Sequence, residues 1–399
     1  MERKTCRCCD SDRLLMILTM GDQYLSDFRE DDLLPKKAPL DLILCEECSL
    51  LQLKHTIPSS FLYTENYGYR SGINGTIRAN LQEIVDEVRS LVSLEDQDVV
   101  VDIGANDGTL LSNYDKSLYR IGFEPIAKLA KQCQLQADLV INHFFSFVEG
   151  ISAKIITAIS MFYDLEDPNL FLEDIKKTLQ EGGVFVIQQN YLVDMLQLNA
   201  FDNIVHEHLE YYSLFSLERL LEKHGLTVFR VARSSVNGGS FRTFICRKGE
   251  REIEESVFQM RKEESLLRLH DKQIYLDFAR RVNGEVSLLV SFLLQQKQQG
   301  KKIYLYGAST RGNSLLQYAG IDSAFIDAAV ERNQEKIGKK IASLQIPIVS
   351  EEEARKDNPD YMLVLPWFFK EEFLEREKEY LEKGGSLIFP LPTFSVLTS

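Results

Sequence analysis

The stretch Asp98 to Leu111, DVVVDIGANDGTLL, constrains the fold of this chain more than any other. Val99 to Val101 and Ile103 read as an apolar strand carrying Asp102, and the chain then turns through Gly104-Ala105-Asn106-Asp107-Gly108. Thr109-Leu110-Leu111 reads as the opening of a helix. Such a strand, glycine turn and helix N-terminus bring bare backbone and free amide N–H groups up to a ligand. A dinucleotide fingerprint would place its second glycine two positions after the first, where a pyrophosphate needs room. Here Ala105 and Asn106 intervene and Asp107 precedes Gly108, so an acid stands where it would repel a pyrophosphate and hold an amino group. The aminocarboxypropyl end of S-adenosylmethionine fits that turn better. Further on, Tyr119 to Phe123 reads as a second strand ending in Glu124, an acid placed to chelate two ribose hydroxyls. Turn and acid together predict a class I methyltransferase sheet, with another nucleotide-binding α/β fold as the alternative.

The alternation of elements continues in the same sense. Ile77 to Val92 carries Leu81, Ile84, Val85 and Val88 at helical spacing and leads into the central strand. Lys128 to Gln136 reads as helix, Leu139 to Ile141 and Ile155 to Ser160 as strands, and Pro168 to Leu179 as a helix opened by Asp167-Pro168. Gly182-Gly183 then turns into the strand Val184 to Ile187. Strands separated by helices predict a parallel doubly wound sheet with ligands outside its carboxyl ends, which puts Phe144-Phe145 and Ser160 to Tyr163 on the ligand edge. Leu226 to Val231 and Phe241 to Cys246, joined through Asn237-Gly238-Gly239, predict a β-hairpin at the end of the sheet, as a class I methyltransferase has.

A chain of 399 residues is long enough for two or three domains. Its net charge of −14 argues against a general nucleic-acid or anionic-membrane surface, which needs concentrated positive charge. No stretch reaches the roughly 20 apolar residues of a membrane span. The polar start Met1-Glu2-Arg3-Lys4 leads to cysteines rather than to an apolar signal core, so the expected location is the cytoplasm. Nothing in the sequence sets the number of subunits, and a monomer is the starting expectation.

Five of the seven cysteines fall in the first fifty positions. Cys6-x-x-Cys9 and Cys45-x-x-Cys48 are two hooks, each supplying two thiolates from one turn, which suits tetrahedral zinc. Four protein ligands leave no open position, so this zinc is expected to hold a small lobe together and to do no chemistry. Cys8 is expected to stand beside the cluster as a free thiol.

Three stretches outside the turn draw notice. Phe61 to Gly72 holds three tyrosines, an arginine and two glycines, which suits a loop facing a ligand as well as it suits domain packing. His206-Glu207-His208 gathers two of the six histidines around a glutamate. In an extended segment the two imidazoles would share one face and Glu207 would point away. A metal pair, solvated surface histidines, and a general base with an orienting neighbour are the three readings, the last preferred. After a charged helical bridge from Glu250 to Gly300, Lys302 to Leu316 forms a second strand, glycine turn and helix. Its Ser309, Thr310 and Arg311 favour phosphate oxygens. Strands at Ala324 to Val330, Tyr361 to Leu365 and Ser386 to Pro390 complete a smaller α/β domain.

Taken in order, these motifs resemble one family. The cysteine hooks, YGYRSG at Tyr67, DIGANDG at Asp102, FDNIVHEHLEYYSL at Phe201, NGGSFR at Asn237 and YGASTRGNSLLQ at Tyr306 are similar to the sugar-nucleotide C-methyltransferases of branched deoxysugar biosynthesis. The resemblance implies an α/β protein: a class I methyltransferase sheet flanked by an N-terminal zinc-binding lobe and a C-terminal Rossmann-like domain, with boundaries near 1–75, 76–248 and 249–399. It implies methyl transfer from S-adenosylmethionine to C-3 of a 4-keto-6-deoxy sugar nucleotide. His208 would be the base, with Glu207, Tyr163 and Tyr69 beside it. Asp102, Gly104, Asn106, Asp107, Gly108, Glu124, Phe145 and Ser160 would hold the donor. Tyr67, Tyr69, His206, Asn237, Ser309, Arg311 and Asn313 would hold the acceptor, Arg311 at its diphosphate. The family often has tyrosine where this chain has Val205, and histidine where it has Tyr163, which keeps a donor for the enolate oxygen. An O- or N-methyltransferase and a non-catalytic ligand-binding protein are the other readings.

Overall fold

A computed structural model describes residues 1–63 and 68–398. In the first segment β1 (Leu14–Tyr24), β2 (Phe28–Arg29), β3 (Lys37–Cys45) and β4 (Leu51–Leu53) follow one another. The apolar run Leu40 to Leu44 between the cysteine hooks is strand: β1 and β3 pair antiparallel, with Leu14 opposite Cys45 and Tyr24 opposite Lys37. Leu40, Leu42 and Leu44 turn to one face and are buried, as alternation in a half-covered sheet requires.

The central sheet follows the helix Gly75–Leu91, whose N-cap Asn74 accepts the N–H groups of Thr76 and Ile77. Its strands are β5 (Val99–Ile103), β6 (Tyr119–Phe123), β7 (Leu139–Ile141), β8 (Ala153–Ile159) and β9 (Leu179–Asn190), then, after the short β10 (Glu210–Tyr211), β11 (Leu226–Ser234) and β12 (Ser240–Arg247). The order is β11-β12-β9-β8-β5-β6-β7. β9, β8, β5, β6 and β7 are parallel, and β12 enters antiparallel between β9 and β11. This is the class I methyltransferase arrangement, and it places the carboxyl ends of β5, β6 and β8 on one edge.

Two local expectations are corrected. No helix follows Gly108. A single 3₁₀ turn at Leu111–Asn113 stops at Tyr114, whose backbone is extended. The few residues before β6 include Ser112, Asn113, Asp115 and Ser117, which favour turns over helix. Gly182 and Gly183 do not precede a strand but lie within β9, where Gly182 takes φ +72° next to a register shift against β8.

The helices Glu255–Leu267 and Lys272–Gln298 cross to the third sheet, breaking at Arg268, which is left-handed. That sheet contains β13 (Ile303–Tyr306), β14 (Ala328–Glu331), β15 (Lys340–Ile341), β16 (Ile346–Ser350), β17 (Tyr361–Val364), β18 (Ser386–Phe389) and β19 (Ser395–Leu397). Its order is β19-β18-β17-β13-β14-β16-β15-β2, so a strand of the first segment closes its edge. A second exchange matters more for the site. β10, from the stretch just after His208, pairs with β4 and so belongs to the first sheet. Among the described residues no helix is long and apolar enough to cross a membrane.

Candidate active site and zinc cluster

The sulfur atoms of Cys6, Cys9, Cys45 and Cys48 all lie within 4.8 Å of one another. Cys6 to Cys48 is 3.5 Å and Cys9 to Cys45 is 3.6 Å. Four sulfurs at about 2.3 Å from one tetrahedral zinc stand about 3.8 Å apart, so the cluster fits the ion with little adjustment. Cys8 is buried and stands outside the set, its sulfur 4.0 Å from the Ser216 carbonyl.

A cavity of about 510 Å³ opens at the carboxyl ends of β5, β6 and β8. Asp102, Gly104, Asn106, Glu124, Phe145 and Ser160, the residues expected at the donor, lie on its wall. Gly104 has φ +71°, and a Cβ there would stand 3.2 Å from Met161, so a side chain would crowd the floor. The Glu124 carboxylate accepts the N–H groups of Asn106 and Ile126, each at 2.8 Å. Phe145 packs edge-on against Phe123 at 5.0 Å, giving the cavity an aromatic side.

Asp107 and Gly108, also expected at the donor, are absent from that wall. The Asp107 carboxylate accepts the Gly72 N–H at 2.9 Å and the Thr109 hydroxyl at 2.5 Å. Gly108 faces the helix Ala127–Cys133, where a Cβ would come within 3.0 Å of Cys133 Cα. The acid of the turn therefore holds the 68–72 loop. Asn106 helps: its Oδ1 accepts the Ser71 N–H and its Nδ2 donates to the Tyr69 carbonyl, leaving Tyr69 on the cavity wall. Tyr67 lies outside the described residues.

Sequence reading missed several wall residues. Asp164, Glu166 and Gln188 come from the ligand edge just past the residues read there, and Thr56 to Ser59, ahead of the tyrosine-rich stretch, form with Leu62 and Tyr63 a roof from the end of the zinc lobe. Asp164 accepts the Tyr63 hydroxyl at 3.0 Å. Arg3 and Arg7 approach Glu166 from outside, at 3.1 and 3.7 Å. The other four carboxyls of the wall, Asp102, Glu124, Asp164 and Glu207, have no lysine or arginine partner among the described residues. Burial raises the pKa of each. Asp102 moves to about 7 despite the Thr157 hydroxyl, Glu207 moves to about 7, and Glu124 and Asp164 also rise. Uncompensated acids around one cavity suit a cationic guest, and S-adenosylmethionine carries a sulfonium and an ammonium.

The His206 to His208 stretch is not extended. The His208 N–H closes a tight turn on the Val205 carbonyl at 3.1 Å, and the three side chains diverge. His206, expected at the acceptor, is buried, with Nε2 donating to the Ala38 carbonyl at 3.1 Å. Glu207, expected to point away, reaches the cavity wall. His208 is off that wall. Its Nδ1 donates to the Asn203 carbonyl at 2.9 Å, which leaves Nε2 as the basic nitrogen, and its ring meets the edge of Tyr163 at 4.5 Å. Burial lowers its pKa to about 3, so the imidazole is neutral.

The C-terminal candidates sit at a seam. Ser309 caps the helix Thr310–Ala319 by accepting the Gly312 N–H, and Asn313, buried, accepts the Ser343 hydroxyl at 2.6 Å. Arg311, expected at a diphosphate, is already engaged. Its Nε donates to Asp202 at 3.0 Å, its Nη1 donates to the Asn237 carbonyl at 2.7 Å, and the guanidinium lies over Phe368. Trp367 Nε1 donates to the same Asp202 oxygen at 3.2 Å. Asn237 thus joins the seam through its carbonyl while lining the cavity.

Residues 6–63 match a zinc binding domain family, 70–231 a methyltransferase domain family, and 235–392 the C-methyltransferase C-terminal domain family. Among solved structures, an S-adenosylmethionine-dependent methyltransferase from Clostridium acetobutylicum is 11% identical, covering 45% of this chain and 94% of its own, at TM-score 0.35. Magnesium protoporphyrin IX methyltransferase from Synechocystis is also 11% identical, covering 46% and 90%, at TM-score 0.36. The C-methyltransferase NovU of Streptomyces niveus is 31% identical over 410 aligned positions, covering 99% of this chain and 97% of NovU. End-to-end similarity of that degree, on a cavity built for a cationic donor and a four-thiolate cluster, means that the chain belongs to the C-methyltransferase family, as an S-adenosylmethionine-dependent enzyme with structural zinc.

Proposed function

We propose that the enzyme methylates the carbon alpha to a ketone, C-3 of a 4-keto-6-deoxy sugar nucleotide, in branched deoxysugar biosynthesis. The motifs that resemble sugar-nucleotide C-methyltransferases support the acceptor class. The supporting observation for the chemistry is the Val205–His208 turn, which sets Glu207 on the cavity wall with its pKa raised to about 7. A ketone acidifies the neighbouring C–H, and a base tuned near the working pH removes such a proton best. S-adenosylmethionine supplies an electrophilic methyl carbon when bound.

In this reading Glu124 would hold the ribose hydroxyls, Phe123 and Phe145 would supply the apolar side for the adenine, and Asp102 would balance the donor's positive charge. Glu207 takes the substrate proton, and Tyr163 and Tyr69 offer hydroxyls to the enolate oxygen. A second reading makes His208 the base, because its Nδ1–H bond to Asn203 leaves Nε2 free of a proton. The acceptor diphosphate is assigned away from the donor cavity, whose wall carries no lysine or arginine among the described residues. We take 1–75, 76–248 and 249–399 as the functional divisions.

The experiment is solvent deuterium exchange into a 4-keto-6-deoxy sugar nucleotide, without methyl donor, followed by mass spectrometry. An enolate-forming enzyme incorporates deuterium at the carbon it methylates. Methylation of an oxygen or nitrogen with no such incorporation would overturn the proposal.

A further inference from the structure

A continuous hydrogen-bond path joins the thiolate cluster to the turn that carries Glu207 and His208. Gln52 Nε2 donates to Cys6 Sγ at 3.1 Å. Gln52 Oε1 accepts the Arg7 N–H at 3.1 Å and Arg7 Nη1 at 3.2 Å. Arg7, fully buried between Cys6 and Cys9, also donates Nη1 to the Leu53 carbonyl at 2.6 Å and Nη2 to the Thr56 hydroxyl at 2.7 Å. Thr56 is on the cavity roof. On the other side, Gln52 in β4 stands opposite Glu210 in β10, and the Leu53 N–H donates to the Leu209 carbonyl at 2.8 Å. The Leu209 N–H donates to the Tyr163 carbonyl at 2.9 Å. Leu209 is thus pinned from both faces immediately after His208.

We propose that Gln52 and Arg7 are positioning residues for methyl transfer, through which the zinc-bound thiolates fix the Val205–His208 turn and the roof of the donor cavity. Two-residue β10 has too few ladder bonds to hold a turn alone, and its sheet neighbour is β4. An N–H to sulfur bond strengthens when the sulfur is an anionic metal ligand, so the cluster gives the path a rigid end. His206, bonded to the Ala38 carbonyl of β3, ties the same turn to the same sheet. The zinc lobe then acts as a wall of the active site. That consequence rests on the proposed role of this turn, whereas the coupling itself is measurable without any acceptor.

The test is hydrogen exchange of the zinc-loaded full chain, read on peptides covering 203–212 and β5, with the His208 imidazole followed by NMR. In Gln52→Leu, with one zinc per chain retained, exchange in 203–212 should rise about tenfold or more while β5 stays protected. The His208 titration should move up toward about 6.5 as the ring is released. Arg7→Lys, which keeps the charge and loses the fork, should shift both readouts in the same direction by less. If Gln52→Leu loses zinc or β5 protection, Arg7→Lys decides. Unchanged exchange and an unchanged His208 signal, or an equal rise in β5 in both variants, would overturn the proposal.

Discussion

The molecule contains two glycine turns of one design that meet opposite fates. Gly104 after β5 and Gly307 after β13 both take positive φ, at +71° and +92°. Each turn is held by an acid from the tip of the neighbouring strand: Glu124 accepts the Asn106 N–H, and Glu331 accepts the Ala308 N–H at 3.2 Å. The first opens onto the donor cavity although no helix follows it. The second, followed by a well-capped helix, is closed by its own cations: Arg311 is spent on Asp202 and Asn237, and Lys336 donates to the Ala308 carbonyl at 2.7 Å. A glycine turn therefore offers a site only where the neighbouring side chains leave it open, and their charge decides the guest.

Five substitutions and a change of pH test this contrast. The largest effect is expected on the open side. Glu207→Gln should lower turnover by a factor on the order of 10²–10⁴ with little change in donor affinity. His208→Asn run beside it separates the two proposed bases, since deuterium incorporation should be lost only in the variant lacking the base. On the closed side, Arg311→Ala leaves the buried Asp202 carboxylate with the Trp367 indole N–H but no cation, and should cost about 3 kcal/mol of folding stability, read by denaturant unfolding. An unchanged stability with weakened acceptor binding would restore Arg311 to a ligand-reading role.

Glu124→Ala should raise the donor dissociation constant by roughly 10- to 100-fold in calorimetry, the worth of hydrogen bonds to a charged group. Glu331→Ala should leave that constant unchanged. The smallest effect is with pH. Asp102 and Glu207 are held near 7 by burial and a cationic donor favours their ionised forms, so donor affinity should rise severalfold between about pH 6 and pH 8 and then level off. The sign for stability is opposite. The folded pKa of Asp102 lies above its unfolded value, so protonation favours the folded state, and its contribution is lost as pH rises from about 4 through about 7 in the ligand-free protein.

Much of this contrast was legible along the chain. The run Val99 to Ile103, the glycine after it and Glu124 lie where the sequence put them, because a strand's apolar run and a glycine turn are local facts. The cysteine hooks were equally plain, since each pair comes from one turn. Asp107 has a partner that local reading does not show. An acid in a ligand turn looks like a ligand contact, but the 68–72 loop reaches it first. The same holds for Arg311, because Asp202 lies far off in sequence and nothing near Arg311 signals it.

The sequence by itself determined the parallel α/β sheet with its terminal hairpin, the cysteine hooks and the family, since all rest on spacing within short segments or on motifs taken in order. The tertiary structure decided which way each functional side chain faces. Whether Glu207 or His208 meets the cavity depends on a single tight turn, and that turn is held by pairing with β4 from the zinc lobe, far earlier in the chain. Contacts between distant segments carry no periodicity in sequence, so direction and charge compensation at the site appear only once the chain is folded.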